Sequence, residues 1–194
     1  MTTYAPSALL AGNTPHYWQI VPYNSFGDAE ACPVWSFTTG AAPLAAFPYV
    51  EGFEGGAGGW TSGGGNSSWE LGTPAGAVII GASTGDTAWA TNLDGDYNNE
   101  EQSYVLSPFF DFSGLDFPYV KFDLWWDAET SYDGAQLQAS ADGGATWQVV
   151  GAQGDGFNWY NEVPDGLGVN ADGWSGDIES DEGFGGYSAA YGWR

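Results

Sequence analysis

Between Val120 and Asp127 the chain alternates. Val120, Phe122, Leu124 and Trp126 fall on one face of an extended strand, and Lys121, Asp123, Trp125 and Asp127 fall on the other. A second run, Ala135 to Ser140, alternates in the same way, with Ala135, Leu137 and Ala139 inward and Gln136 and Gln138 outward. It leads into Ser140-Ala141-Asp142-Gly143-Gly144-Ala145-Thr146-Trp147, and a third strand is expected from Trp147 to Gly151. The spacing predicts a tight hairpin. Asp142 can accept backbone N–H groups within the turn, and the pair of glycines, Gly144 included, permits positive φ. Trp147 is expected to fold back as an apolar plug.

Other short runs repeat the pattern. His16, Trp18 and Ile20 share one face of a strand that follows the turn at Gly12-Asn13-Thr14, and Val34 to Thr39 forms another strand. Asn24-Ser25-Phe26-Gly27-Asp28 has the composition of a hairpin loop. Strands are also expected at Val50–Glu54, Ser68–Gly72, Val78–Ile80 and Thr87–Thr91. Tyr104–Asp111 reads as a strand broken by Pro108, an edge or a bend. The glycine-rich stretch 55–65 reads as a loop containing Trp60, and 94–101 as an acidic loop. No segment has sustained helical periodicity. The 31 glycines mark many turns, and the eleven tryptophans supply ample core material. The expected class is all-β.

Charge narrows the function. The 194 residues include 25 acidic and 2 basic side chains, for a formal net charge of −23. Such a chain cannot neutralise phosphates, so nucleic-acid binding is excluded as a working idea, and anionic membranes are poor partners. Most of the carboxylates read as a solvated acidic surface, with three or four available to group around Ca²⁺. No apolar run reaches the ~18 residues of a membrane span, and the first residues lack the basic and apolar regions of a signal peptide. Cys32 is the single cysteine, which rules out an internal disulfide. One histidine cannot build a His-based metal triad, and the chain has no Gly-x-Ser-x-Gly and no Lys after its glycine runs. No catalytic residues are expected, and the chain is read as non-enzymatic.

The Ser140–Trp147 unit matches the Asp-box pattern. Sialidases carry several such boxes, but their chemistry needs an arginine cluster for the substrate carboxylate. Here there is one box and one arginine, Arg194. Asp142, Gly144 and Trp147 are therefore read as structural.

Residues 1–40 carry a Leu10-turn-His16-Tyr17 corner, a strand, an Asn24-x-x-Gly27 loop and a terminal Ser36-Phe37-Thr38-Thr39. In that order they resemble the last strands of a fibronectin type III domain, with His16 where the family has its corner tyrosine. A complete domain of that kind has about seven strands in roughly 100 residues. The chain is thus expected to begin within the domain. Residues 41–49 read as a small-residue linker.

From Phe53-Glu54 onward a further series follows: Trp60, Ser68-Trp69-Glu70, Thr87-Ala88-Trp89-Ala90-Thr91-Asn92-Leu93, Leu106-Ser107-Pro108 and Asp133-Gly134. It resembles the MAM-like jelly roll, including the cleaved-adhesin modules of secreted bacterial proteins. The resemblance covers residues 50 to about 176, and residues 50–194 are assigned to such a domain, incomplete at its C-terminus, with Tyr187–Arg194 expected to be poorly ordered. It implies an antiparallel β-sandwich, an extracellular or cell-surface location and a structural Ca²⁺. The Phe-Glu carboxylate of Glu54 is the implied ligand, with Asp86, Asp127 and Asp133 as the remaining candidates, although each is also readable as a surface carboxylate.

A glycan site would need flat aromatic platforms. Trp125, on the face opposite the expected core, and Trp159 and Tyr160, in a Gly/Asn-rich loop, are the candidates, against a plainer reading as core. The expected function is a non-catalytic adhesion, spacer or accessory-binding module that meets an extracellular glycan or protein surface. The alternatives are an accessory region of a secreted peptidase or glycosidase, and a carbohydrate-binding module.

Overall fold

A computed structural model describes residue 6 and residues 10–155, 159–167 and 171–176. It is all-β, built from antiparallel two-stranded pairs, with one turn of 3₁₀ helix at Asp165–Leu167. Among the described residues the pairs do not join into a closed sandwich. No helix among them is long and apolar enough to cross a membrane. The chain divides into two compact units, Met1–Val50 with Ser107–Pro118, and Glu51–Leu106 with Tyr119–Arg194.

In the first unit, β1 (Pro15–Gln19) pairs with β4 (Val34–Thr38), and β2 (Tyr23–Asn24) forms a small hairpin with β3 (Gly27–Asp28). Asn24 Oδ1 accepts the Phe26 N–H at 2.8 Å, which is how an Asn closes a tight turn on its own backbone. Trp18 faces Trp35 in the register, and the two indoles stack with centroids 4.6 Å apart; His16 stacks on Phe37 two pairs along. Residues 41–49, expected to be a linker, take part in structure. Leu44 bridges Phe110 through bonds to Phe109 and Asp111, and the rings of Phe47, Tyr49, Phe110 and Phe112 cluster around it.

Among the described residues, the second unit holds four pairs. β5 (Thr61–Gly65) pairs with β8 (Gln102–Leu106), and β6 (Trp69–Gly72) with β7 (Ala88–Thr91). β9 (Gly134–Ala135) pairs with β12 (Trp174–Ser175), and β10 (Gln138–Ala139) with β11 (Gln148–Val149). Several expectations of detail are corrected. The glycine-rich stretch expected as loop supplies β5, because Gly63 sits opposite Tyr104 and its missing side chain makes room for that ring; a Cβ there would lie 2.9 Å from the hydroxyl. β8 ends at Leu106, where Ser107-Pro108 breaks the expected longer strand. Val50–Glu54 and Val78–Ile80 are not strands, and Val120–Trp126 is irregular.

The core of the second unit is aromatic. Trp125, Trp126, Tyr160 and Trp174 are buried together, with Ile79, Leu124, Leu137 and Trp159 packed against them. Burying rings of this size dominates the stabilisation of a small β unit. Residues 177–194 lie outside the described residues, and with them the expectation for Tyr187–Arg194.

Candidate functional site

The hairpin of the Asp-box forms as its spacing predicts. Asp142 Oδ1 accepts the Ser140 hydroxyl at 2.8 Å and the Thr146 N–H at 2.9 Å, and Oδ2 accepts the Thr146 hydroxyl at 2.6 Å. Ser140 Oγ in turn accepts the Gly144 N–H at 2.8 Å. Gly143 and Gly144 take φ of 77° and 90°, a region costly for other residues. The bonds from Thr146, then from Ser140, hold the Asp142 carboxyl down at about 2. Trp147 is not a buried plug. It is 46% exposed, and its ring edge rests over Gly144. The polar ring around Asp142 closes the turn without needing the indole as a stopper.

The three aromatic residues proposed as platforms lie elsewhere than a surface site requires. Trp125 is 8% exposed and Tyr160 2% exposed. Trp125 escapes the alternation rule because its segment is not a pleated strand, so Trp125 and Trp126 both turn inward. Trp159 is half-buried, donates Nε1–H to the Val150 carbonyl at 3.2 Å, and meets Tyr160, Trp174 and Phe122. All three belong to the core.

Around this core, side chains complete the backbone bonding of loops. Asn161 donates through Nδ2 to the Ser175 carbonyl at 2.8 Å and accepts the Ser175 N–H on Oδ1 at 3.0 Å, standing in for a neighbouring strand. The buried Ser175 hydroxyl donates to the Asp133 carbonyl at 2.6 Å, and Trp126 Nε1–H donates to the Ser175 carbonyl at 3.2 Å. Trp174 and Ser175 were missed by sequence reasoning, since the tail from 164 onward shows no alternation. The available signal was the isolated Trp-Ser between Gly173 and Gly176.

Carboxylates play the same part. Glu101 accepts from the Ser68 N–H (2.9 Å), the Ser68 hydroxyl (2.5 Å), the Asn98 N–H (3.1 Å) and the Ser103 hydroxyl. Burial pushes its carboxyl up, but the bonds from Ser103, Ser68 and Asn98 together outweigh burial and hold it below the usual range. Glu162 accepts the hydroxyl and N–H of Ser131, and Glu70 the N–H of Leu93.

The four residues expected at Ca²⁺ are used differently. Glu54 Oε1 accepts the N–H groups of Asp86 and Thr87, so Asp86 reaches Glu54 through its backbone. Asp133 Oδ2 accepts the Tyr97 hydroxyl at 2.8 Å, and Tyr97 is raised by its burial first. Asp127 is exposed. Among the described residues, no three His, Cys, Asp or Glu side chains gather in a way that could hold a metal ion. Ca²⁺ asks for six to eight converging oxygens, and the four expected ligands, as arranged, do not fit it.

The comparisons with known proteins add one relative. The chain is similar to Bacillopeptidase F of Bacillus subtilis (strain 168), at 28% identity over 118 residues, which is 60% of this chain and 8% of that protein. The chain thus spans a small fraction of the length of the relative it matches. No family model matches the chain, and no solved structure does.

Proposed function

We propose that this chain is a non-catalytic accessory segment of a larger extracellular bacterial protein, with a peptidase as the leading candidate for the catalytic part. The observation that carries this reading is the match to a protein named as a peptidase, confined to 8% of that protein's length. The side-chain chemistry agrees with it. Glu54, Glu101, Asp142 and Glu162 are engaged as acceptors for backbone and hydroxyl groups of their own fold, which is a structural use of carboxylates.

A spacer or adhesive role is the second reading, favoured by one feature of the first unit. Tyr17, Trp18, Trp35 and Phe37 on β1 and β4 are all substantially exposed, so this hairpin offers rings to a glycan or a protein surface that the buried Trp125 and Tyr160 do not. Purified chain should leave casein and fluorogenic peptides uncut and should be scored for retention on immobilised glycans and proteins. Peptide turnover that disappears on mutation of a single carboxylate overturns the accessory reading. Glycan retention lost in Trp18→Ala and kept in Trp147→Ala, whose ring is also exposed, favours the second reading over the first.

A further inference from the structure

We infer that Glu54 is a metal-independent clamp: its carboxylate, acting as an internal anion in place of any cation, holds the Gly85-Asp86-Thr87 turn to the segment that opens the second unit. The geometry is specific. Two consecutive N–H groups, those of Asp86 at 2.9 Å and Thr87 at 2.8 Å, converge on Oε1. Successive backbone N–H groups at a turn form a concave anion-binding nest. Gly85 has φ of 67°, and a Cβ there would overlap the Glu54 carboxylate, so the turn is shaped to let the acid approach the backbone.

That arrangement opposes a cation at the same place. The turn directs the positive ends of two N–H dipoles at the carboxylate, whereas a divalent ion needs oxygens directed at itself. Seating an ion on Oε1 in place of these donors would require both N–H groups to turn away and lose charge-assisted bonds. A second acid nearby also lies against a left-handed glycine. Glu51 Oε1 accepts the Phe53 N–H at 2.8 Å, and its carboxylate lies where a Cβ on Gly58, at φ of 57°, would stand.

The clamp predicts which backbone groups are protected and what does not matter to them. In the wild-type chain the Asp86 and Thr87 amides should exchange slowly with solvent deuterium, equally in millimolar Ca²⁺ and in excess chelator, and the melting temperature should be the same in both. Glu54→Gln should speed exchange at those two amides and lower the melting temperature by the same amount with and without Ca²⁺. A wild-type melting temperature that rises with Ca²⁺, or Asp86 and Thr87 amides that are unprotected in chelator, overturns the inference. Both wild-type measurements decide the matter even where Glu54→Gln fails to fold.

Discussion

The Tyr160 hydroxyl bonds both ends of one peptide position: it accepts the Leu137 N–H at 3.0 Å and donates to the Leu137 carbonyl at 3.1 Å. Leu137 lies between β9 and β10, where the expected single strand from Ala135 to Ser140 is interrupted. The Leu137 carbonyl also accepts the Val150 N–H at 2.9 Å, so the tyrosine supplies the partner of the Leu137 N–H and a second donor to its carbonyl. Its own ionisation is pushed up, by burial first, so it stays protonated at neutral pH.

Tyr160→Phe keeps the ring and deletes both bonds. The ring packing against Trp174, with centroids 4.6 Å apart, is retained. The loss is the cost of leaving the part-buried Leu137 N–H without this partner, about 1–3 kcal/mol, because the Leu137 carbonyl keeps the Val150 N–H. Denaturant titration should show a lower midpoint with an unchanged slope. A midpoint equal to wild type would mean that water takes over both bonds.

Trp125→Ala and Trp147→Ala separate core from surface. Truncating a buried tryptophan costs about 3–5 kcal/mol, a large part of a domain's roughly 5–15 kcal/mol. Trp125, at 8% exposed, should incur that loss, and Trp147, at 46%, much less. Alternation in Val120–Asp127 suggests the reverse order. Thermal melts of the two variants check it, and a Trp147→Ala protein less stable than Trp125→Ala would restore the plug.

The contrast shows where the sequence could be read and where it could not. The Asp-box hairpin was legible because its bonds are local: every partner of Asp142 lies within four residues. The all-β class was legible from the alternating runs and the density of turn residues. Alternation failed at Trp125 because it applies only to pleated backbone, and Tyr119–Trp126 is not pleated. It also failed at β5, where glycines signal a loop unless the covering ring of Tyr104 is known. Bonds between distant residues, such as Glu54 to Asp86 or Asn161 to Ser175, leave no periodic trace.

Asn161→Asp tests the strand-like role of that side chain. Asn161 needs both a donor and an acceptor to match the carbonyl and N–H of Ser175. An ionised aspartate offers acceptors only, so it keeps one bond and sets a negative oxygen against the Ser175 carbonyl. The variant should be destabilised at neutral pH by about 1–3 kcal/mol, and protonation of the new acid should recover part of the loss. A variant as stable as wild type at pH 7 would show that the pair contributes nothing.

The acid response of the second unit should follow its acceptor carboxylates. Glu101 and Asp142 both ionise more readily in the folded chain than they would free, Asp142 at about 2. A folded pKa below the unfolded one gives stability that is present above the unfolded value, about 4.3 for Glu and 3.9 for Asp. It is lost as pH falls through the folded value. For Asp142 the window therefore runs from about pH 4 down to about pH 2. The stability gap between wild type and Glu101→Gln should be fullest at pH 6–7, because the amide cannot accept on both of its atoms the four bonds that converge on Glu101. That gap should narrow as Glu101 itself is protonated. Melting temperatures of wild type, Glu101→Gln and Asp142→Asn measured from pH 7 to pH 2.5 would trace both curves. A Glu101→Gln gap that is constant across the range, or that widens toward acid, would show that the four donors do not hold an ionised carboxylate.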